Sequence, residues 1–404
     1  MKAKVLLLNC LLILICIFIF GCNNENIEIS IDYQDEITID ESINLNVSST
    51  KPNDIIEIEN LTPDIIKIND NIITGIEEGL GQIKISNTTG IIKYIEIIVN
   101  DKPIPESLNI VLNTDKVVMN KVYNFEIITE PSNAKIDLKL SYNSNYIDIN
   151  LETKEIVFKD TGIQKITFYS KDNLKAKSLL TVDVDFNPDI EYYELLYIGN
   201  SLTKHTVYDV PAMVEAMMKA ENIAAKITVD STTPQWIIDH KSSFKSLITK
   251  RKYTHVILQE KSQGMITDYQ KFENAVLEFN ELIKANGAKT VLYQTWGYKN
   301  GFNEFTKYEM YLKVKEQYEK VGNKINATIF KTGDAFIKYE EIYNEVSLYS
   351  DNNHGSIYGG YLSACVHFAT LTGRKASNNS YIHPDVEETI AKHLKEIADM
   401  IVFG

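Results

Sequence analysis

Three residues of the chain have the types and the spacing that nucleophilic chemistry requires. Ser201 follows a short apolar run at residues 195–198 and a glycine, and a helical pattern begins soon afterwards. Asp351 and His354 lie together on a polar stretch far downstream, directly before another helical pattern. A serine hydroxyl is a weak nucleophile at neutral pH, so it needs an imidazole base and a third group that orients this base. The pattern therefore predicts a serine nucleophile activated by an imidazole base, provided that the fold brings the three side chains together.

The elements around these residues predict a parallel sheet. Short apolar strands alternate with helical patterns, and this alternation is typical of a sheet covered by helices on both faces. The predicted strands are 195–198, 225–229, 255–258, 290–294 and 327–331, and the predicted helices are 210–221, 236–250, 269–286, 304–321, 356–372 and 384–402. We therefore predict an α/β three-layer, flavodoxin-like domain at residues 190–404. Ser201 would follow its first strand, and Asp351 and His354 its last, at the carboxyl edge where ligands bind in such sheets.

A different pattern occupies the chain before this domain. Residues 29–101 and 106–186 consist of short β-branched runs with a period near two, each bounded by turn residues. Six or seven such strands in about 75 residues are typical of a sandwich. Pro103 and Pro105 interrupt the pattern between the two segments, and Pro188 follows the second. The chain is thus predicted to be multidomain, with two all-β sandwiches ahead of the α/β domain.

The start of the chain predicts a targeting segment at residues 1–21. Two lysines precede an apolar run at residues 5–20, which ends in Gly21 and Cys22. This ending resembles a bacterial lipobox, which implies lipidation of Cys22, a tether at residues 22–28 and a place in the bacterial cell envelope, periplasmic or surface-exposed. A plain signal peptide or a membrane-spanning anchor is the alternative, although the run is shorter than the ~20 residues that a spanning helix needs.

Composition limits the classes of function. The hydrophobic content of 44% and charged content of 24% are those of ordinary globular domains. The net charge is −14 and the basic residues are scattered, so a nucleic-acid surface is not expected. Loss of the leader would leave only Cys22 and Cys365, so no disulfide within the chain is expected. No metal-ligand spacing, phosphate cradle or dinucleotide fingerprint is present, so no metal or cofactor is expected.

Two motifs resemble the blocks of a known superfamily. Gly199-Asn200-Ser201-Leu202 and Asp351-Asn352-Asn353-His354 are similar to the first and last blocks of SGNH (GDSL-like) hydrolases, and the similarity extends over roughly residues 192–404. The resemblance implies that His354 accepts the proton of Ser201 and that Asp351 orients the imidazole. Residues 68–85 resemble the signature of bacterial Ig-like group 2 domains, which implies Ig-like folds for the sandwiches.

The chain departs from the superfamily pattern at the oxyanion hole. The family uses the serine N–H, a glycine after the second strand and an asparagine after the third. Here Thr233 and Pro234 occupy the glycine position, and Gln259 follows the third strand. The expected donors are therefore Ser201, Thr233 and Gln259, with the hydroxyl of Ser262 as the alternative to Gln259.

Four further residues are expected to line the substrate pocket, namely Asn200, Ser262, Trp296 and His205. An aromatic face at Trp296 would suit a sugar ring. The alternative for Trp296 is a core position that caps the sheet.

The resemblance and the predicted location together imply a lipoprotein serine esterase of the cell envelope. It would hydrolyse small acyl esters, above all acetyl esters, on carbohydrate. The sandwiches would act as a spacer, with glycan contact through them as the alternative. A catalytically impaired surface glycan-binding or adhesion protein is the competing function, and a lipase or thioesterase of the same fold is a further one.

Overall fold

The computed structural model describes residues 27–231 and 236–404. The first β region, residues 27–101, contains nine short strands in three sheets with the orders β1–β4, β2–β9–β8–β5 and β3–β7–β6. Alternate residues of the two longest strands, β8 and β9, are buried. Ile83, Ile85, Ile95 and Ile97 belong to one core. The strands are β1 (Ile29–Asp32), β2 (Glu36–Thr38), β3 (Ser42–Asn44), β4 (Asn46–Ser49), β5 (Ile56–Asn60), β6 (Ile66–Asn69), β7 (Ile72–Gly75), β8 (Gly79–Asn87) and β9 (Ile92–Asn100).

The second β region, residues 107–185, contains two four-stranded sheets with the orders β10–β12–β15–β14 and β11–β17–β16–β13. Its inward-facing residues include Phe125, Phe158 and Phe168, each of which is at most 2% exposed. The strands are β10 (Ser107–Leu112), β11 (Val117–Val118), β12 (Val122–Glu130), β13 (Leu138–Ser141), β14 (Ile147–Asn150), β15 (Glu155–Phe158), β16 (Gly162–Ser170) and β17 (Lys177–Asp185).

The α/β region, residues 192–404, contains a five-stranded parallel sheet, as the alternating pattern predicts. The strands are β18 (Tyr192–Ile198), β19 (Ala224–Asp230), β20 (His255–Leu258), β21 (Lys289–Gln294) and β22 (Thr328–Lys331). The helices are α1 (Val210–Ala220), α2 (Lys241–Lys250), α3 (Gly264–Thr267), α4 (Tyr269–Ala285), α5 (Lys307–Ile325), α6 (Thr332–Ile342), α7 (Ile357–Thr372) and α8 (Glu388–Phe403), with 3₁₀ turns at Ile237–His240 and Ala376–Asn378.

The strand order β19–β18–β20–β21–β22 explains where a site can form. The chain leaves β18 toward β19 on one side and later returns to β20 on the other side. The loops at the carboxyl end of β18 therefore separate and leave a crevice, which is where open α/β sheets bind their ligands. Ser201 lies three residues after the end of β18, at this crevice.

Two apolar layers cover this sheet. Along β18, Leu195 and Tyr197 face the layer built by α1, α6, α7 and α8, whereas Leu196 and Ile198 face the layer built by α2, α4 and α5. All four side chains are fully buried. The strand reads as a continuous apolar run because both of its faces are covered. The predicted three-layer α/β arrangement is confirmed.

Two helices were not predicted from the sequence, the single-turn α3 and the longer α6. Helix α6 begins directly after β22, at Thr332-Gly333-Asp334, which has the composition of a turn. Gly333 lies against the backbone carbonyl of Thr295, and a Cβ there would also come within 2.9 Å of the Gln294 side chain. Glycine therefore permits the first turn of α6 to pack against the end of β21, a contact that the local sequence does not reveal.

The described residues form two compact units. One contains the residues up to Ser107 together with the segments Thr129–Asp137 and Ser170–Ala176, and the other contains the rest. Most of the second β region thus belongs to the same unit as the α/β region. Within the described residues, no helix is both long enough and apolar enough to span a bilayer.

A cluster of ionic contacts joins the second β region to the α/β region inside this unit. Arg251 donates from Nη1 to Glu194 Oε1 at 2.9 Å and from Nη2 to Asp160 Oδ2 at 3.3 Å. Tyr192 donates its hydroxyl to the other oxygen of Glu194 at 2.5 Å. Glu194 is completely buried, and this burial raises the pKa of its carboxyl group. Arg251 is thus the only cation that donates a hydrogen bond to Glu194 among the described residues.

Replacing Arg251 with Met should destabilise this unit by about 3 kcal/mol, because a buried carboxylate then loses its cationic partner. The two tryptophans of the chain, Trp236 and Trp296, both lie in the α/β region, so their fluorescence during urea unfolding reports on this unit. Lys245→Met on the exposed face of α2 is the matched control and should change the free energy of unfolding by less than about 0.5 kcal/mol. Equal stability of the two variants would contradict the role given to Arg251.

Candidate active site

The turn that carries Ser201 is held by a buried glutamine. Gln259, which is 1% exposed at the end of β20, accepts hydrogen bonds at Oε1 from the Asn200 N–H at 2.8 Å and from the Thr203 hydroxyl at 3.0 Å. A Cβ at position 199 would lie within 2.6 Å of this same oxygen. Gly199 is therefore required by the close approach of the turn to Gln259. The clamp fixes the backbone on both sides of Ser201.

The backbone N–H of Ser201 differs from its neighbours. It has no hydrogen-bond acceptor among the described residues. The N–H groups around it all have acceptors, namely those of Gly199, Asn200, Leu202, Thr203 and Lys204. Since backbone N–H groups are almost always paired, one left unpaired beside a nucleophile is suited to bind a developing oxyanion.

The loop after α6 places an imidazole and a carboxylate behind the hydroxyl of Ser201. His354 Nε2 lies 2.9 Å from Ser201 Oγ, and His354 Nδ1 lies 2.7 Å from Asp351 Oδ2. The second oxygen of Asp351 accepts the backbone N–H groups of Asn353 at 2.8 Å and His354 at 2.7 Å. The carboxylate therefore orients the ring and also shapes the short loop that carries it.

These contacts determine the charge of Asp351. Partial burial of the carboxyl group acts to raise its pKa, but the hydrogen bonds from His354 and Asn353 outweigh this effect and lower the pKa of Asp351 to about 2. The side chain is half exposed, at 51%. Asp351 is therefore ionised throughout the neutral range, where it can stabilise a positive charge on His354.

The loop of Asp351 and His354 is braced by the segment that follows β21. Trp296 donates its indole N–H to the carbonyl of Asn353 at 3.0 Å. The backbone N–H of Lys299 donates to the carbonyl of Asn352 at 2.8 Å, and that of Asn300 donates to the Asn352 side chain at 2.9 Å. Two successive residues of the loop, Asn352 and Asn353, are thus held by neighbouring elements and not by the loop alone.

Tyr208 connects the nucleophile to the helix layer. Its hydroxyl donates to the backbone carbonyl of Ser201 at 2.9 Å, and its side chain is 3% exposed. A Cβ at Gly360, in the first turn of α7, would come within 2.5 Å of Tyr208. The sequence did not assign a role to either residue. Tyr208 lies seven positions after Ser201 and Gly360 lies in a distant helix, so neither belongs to a local motif around the nucleophile.

The structure gives Gln259 a role that differs from the predicted one. Its Oε1 faces the Ser201 turn, and its Nε2 donates to the carbonyl of Glu260. An amide that is buried and bonded in this way does not offer its N–H to an oxyanion. Gln259 was expected to be an oxyanion donor, but in the structure it holds the turn of Ser201. Thr233, the other expected donor, lies outside the described residues.

Two expected pocket residues are also buried. Asn200 is 4% exposed, and its Oδ1 accepts the Leu202 N–H at 2.9 Å. Trp296 is 1% exposed and stacks on Phe336 with ring centroids 4.3 Å apart. Neither side chain can present a free face to a sugar. For Trp296 the core alternative is correct.

The remaining expected pocket residues lie at less buried positions. Ser262 is partly buried, and its hydroxyl lies 2.6 Å from that of Tyr298. His205 stacks on His354. No group of three or more histidine, cysteine, aspartate or glutamate side chains suited to a metal ion occurs within the residues that the structure describes.

Comparison with known proteins gives matches among solved structures alone. No protein-family model matches the chain, and no curated protein matches it. Similar solved structures include a DUF4886-family protein from Bacteroides uniformis, with 16% identity and a TM-score of 0.45, which covers 52% of this chain and 95% of that chain. A candidate SGNH hydrolase from Slackia heliotrinireducens has 21% identity and a TM-score of 0.38 over 45% of this chain and 99% of its own. An acetyl xylan esterase has 14% identity and a TM-score of 0.36 over 42% and 96%.

Glu260 is a buried carboxylate that the sequence did not assign to a role. Its Oε1 accepts the backbone N–H groups of Lys261 at 2.6 Å and Ile237 at 3.2 Å. Its Oε2 is buried and has no hydrogen-bond partner among the described residues. Burial raises the pKa of Glu260 to about 7, against the lowering effect of the two backbone hydrogen bonds. A charged residue directly after the apolar strand β20 is the signal that could have identified it.

The raised pKa predicts how stability depends on pH. In the folded state Glu260 keeps its proton up to about pH 7, whereas the unfolded chain loses it near 4.5, the ordinary pKa of a glutamate. The contribution of Glu260 to the free energy of unfolding is therefore fully present below pH 4.5 and is lost as the pH rises to 7. This loss amounts to about 3 kcal/mol. Glu260→Gln should remove this dependence, so that its free energy of unfolding relative to the wild type rises between pH 4.5 and about pH 8.

Urea unfolding followed by tryptophan fluorescence at a series of pH values measures the effect. Glu281→Gln is the matched control, since this side chain is 77% exposed and the same charge is removed. The control should keep the pH dependence of the wild type. A Glu260→Gln protein that also keeps it would contradict the raised pKa.

Proposed function

We propose that the chain is a serine esterase that uses Ser201, His354 and Asp351. The observation that supports this most directly is the continuous set of contacts from Ser201 Oγ through the ring of His354 to Asp351, with distances of 2.9 and 2.7 Å. The N–H of Ser201, which has no acceptor within residues 27–231 and 236–404, supplies a donor beside the nucleophile. This combination of nucleophile, base, orienting carboxylate and oxyanion donor is what acyl transfer from an ester requires.

In the proposed reaction, Ser201 Oγ attacks the ester carbonyl while its proton passes to His354 Nε2. The carbonyl oxygen becomes an oxyanion near the Ser201 N–H, a kind of donor worth roughly 3 kcal/mol of barrier. His354 then gives the proton to the leaving alcohol, which leaves an acyl group on Ser201. Water repeats the sequence with His354 as base, and the acid and the free serine are released.

We further propose that the substrate is a small ester, above all an acetyl ester, on carbohydrate. This part rests on the resemblance of the motifs at Ser201 and His354 to SGNH hydrolases and on the predicted place in the cell envelope. Trp296 does not support this proposal, because its side chain is buried and cannot stack on a sugar ring. The sugar and the length of the acyl group that the protein prefers are to be determined from the rates with a panel of esters.

The test is the release of acetate from an aryl acetate and from acetylated polysaccharides. Ser201→Ala should lower the rate by about 10³-fold or more, because no other hydroxyl of the described residues lies within hydrogen-bond distance of His354. Ser246→Ala, on the exposed face of α2, is the matched control and should react at the wild-type rate. An organophosphonate ester should label Ser201 in the wild type whatever the natural substrate is.

Equal rates for the wild type and Ser201→Ala, without labelling of Ser201, would reject the esterase. They would favour the competing function, a catalytically impaired protein that binds glycans at the cell surface.

We also propose that the protein is a lipoprotein attached through Cys22, which lies outside the described residues. Cys22→Ser should abolish incorporation of a labelled fatty acid and release the protein from the membrane fraction. Cys365→Ala is the matched control, because Cys365 is the other cysteine outside the predicted leader and is fully buried in α7. This control should remain labelled. A Cys22→Ser protein that still takes up the fatty acid would reject the anchor.

A further inference from the structure

A second imidazole covers one face of His354. The rings of His205 and His354 are nearly parallel, with their centroids 4.3 Å apart and their planes inclined by 18°. The edges of the His354 ring are already occupied, since Nδ1 meets Asp351 and Nε2 meets Ser201. Two edge contacts leave the ring free to tilt about the line that joins them. The stack with His205 removes this freedom.

The loop that carries His205 is itself held firmly. The His205 N–H donates to the carbonyl of Tyr208 at 2.8 Å, and Lys204 pairs with Asp209 through an isolated β-bridge and an ion pair of 2.7 Å. Asp209 also caps α1 by accepting the Ala212 N–H at 3.1 Å. His205 therefore sits on a closed turn between the nucleophile and the first helix, and its position relative to Ser201 is set by backbone contacts.

The surroundings of His205 oppose a positive charge on its ring. Its Nδ1 is buried and has no hydrogen-bond partner among the described residues, so a proton there would leave a buried donor unpaired. The titratable groups around it are His354 and Asp351 on one loop and Tyr208 on its own loop, with the Tyr208 ring 5.7 Å away. Burial and then the adjacent His354 lower the pKa of His205, whereas Asp351 acts in the opposite direction.

We propose that His205 is a positioning residue, a neutral imidazole that holds the His354 ring in line with Ser201 and Asp351 and does not take up the proton in place of His354. The proton of neutral His205 is on Nε2, because Nδ1 has no acceptor in the part of the chain that the structure describes. The positive charge that forms during the reaction is then confined to the ring that Asp351 stabilises. This role rests on the proposed esterase function, although the stack and the charge state can be measured without it.

The first experiment measures the charge state directly. The full-length chain has seven histidines, so selective ¹⁵N-histidine labelling gives a simple spectrum, and His205→Phe and His354→Ala identify the two signals. The ring nitrogens of His205 should show a neutral, Nε2-protonated ring at every pH at which His354 changes from charged to neutral. A His205 ring that takes up its proton together with His354 or before it, or that carries its neutral proton on Nδ1, would overturn the proposal.

The second experiment separates stacking from other roles. His205→Ala should lower kcat about 10- to 100-fold with KM changed less than about 2-fold, because a misaligned base affects the chemical step and not substrate binding. His205→Phe keeps a flat ring against His354 and should stay within about 3-fold of the wild type, with the same pH profile. Wild-type kcat in His205→Ala, or a His205→Phe protein as slow as His205→Ala, would overturn the proposal.

Failure of the proposed esterase function can be distinguished from failure of the role given to His205. If Ser201→Ala abolishes phosphonate labelling while His205→Ala leaves its rate unchanged, the esterase stands and the role of His205 is rejected. If the wild type is neither labelled nor active, the esterase is rejected, and the nitrogen spectra still decide whether His205 is neutral.

Discussion

The hydrogen bond between Ser201 Oγ and His354 Nε2 is the contact on which the proposed chemistry depends. It joins two side chains that are 153 positions apart in the chain, and each of them lies on a loop. Catalytic geometry tolerates little displacement, and an error near 1 Å can lower a rate about 100-fold. The two loops must therefore be rigid separately and must share one frame. The parallel sheet is that frame, because the loop of Ser201 follows β18 directly and the loop of His354, which follows α6, is held by the segment after β21.

Each loop obtains its rigidity from polar groups that are buried beneath it. Gln259 accepts hydrogen bonds from the turn of Ser201, and Trp296 donates one to the loop of His354. Tight turns leave backbone N–H and C=O groups without partners in a helix or a sheet, so side chains from neighbouring strands must pair with them. This explains why residues that have the chemistry of substrate-binding groups are nearly inaccessible to a substrate.

The same neighbourhood contains two buried groups whose polar atoms are not fully paired. Glu260 Oε2 and His205 Nδ1 both lack a hydrogen-bond partner among the described residues. Burial without a partner disfavours the charged form of each group, so the carboxyl group of Glu260 retains its proton more readily and the ring of His205 accepts one less readily. Asp351, with three hydrogen bonds in which His354 or Asn353 is the donor, shows the opposite behaviour. The balance between burial and hydrogen bonding therefore determines the charge of each group.

The residue pattern was enough to predict the parallel sheet and its strands, because strands covered on both faces must be short, continuous apolar runs such as residues 195–198. It also identified Ser201, Asp351 and His354 as candidates, since Ser201 follows such a run and the other two precede a helical pattern, each in a local motif. The tertiary structure alone decided that Gln259, Asn200 and Trp296 face inward, that His205 covers His354, and that α6 begins directly after β22. These features depend on contacts between residues far apart in the chain, and the spacing of residues within one segment carries no information about which way a side chain turns once the segments pack.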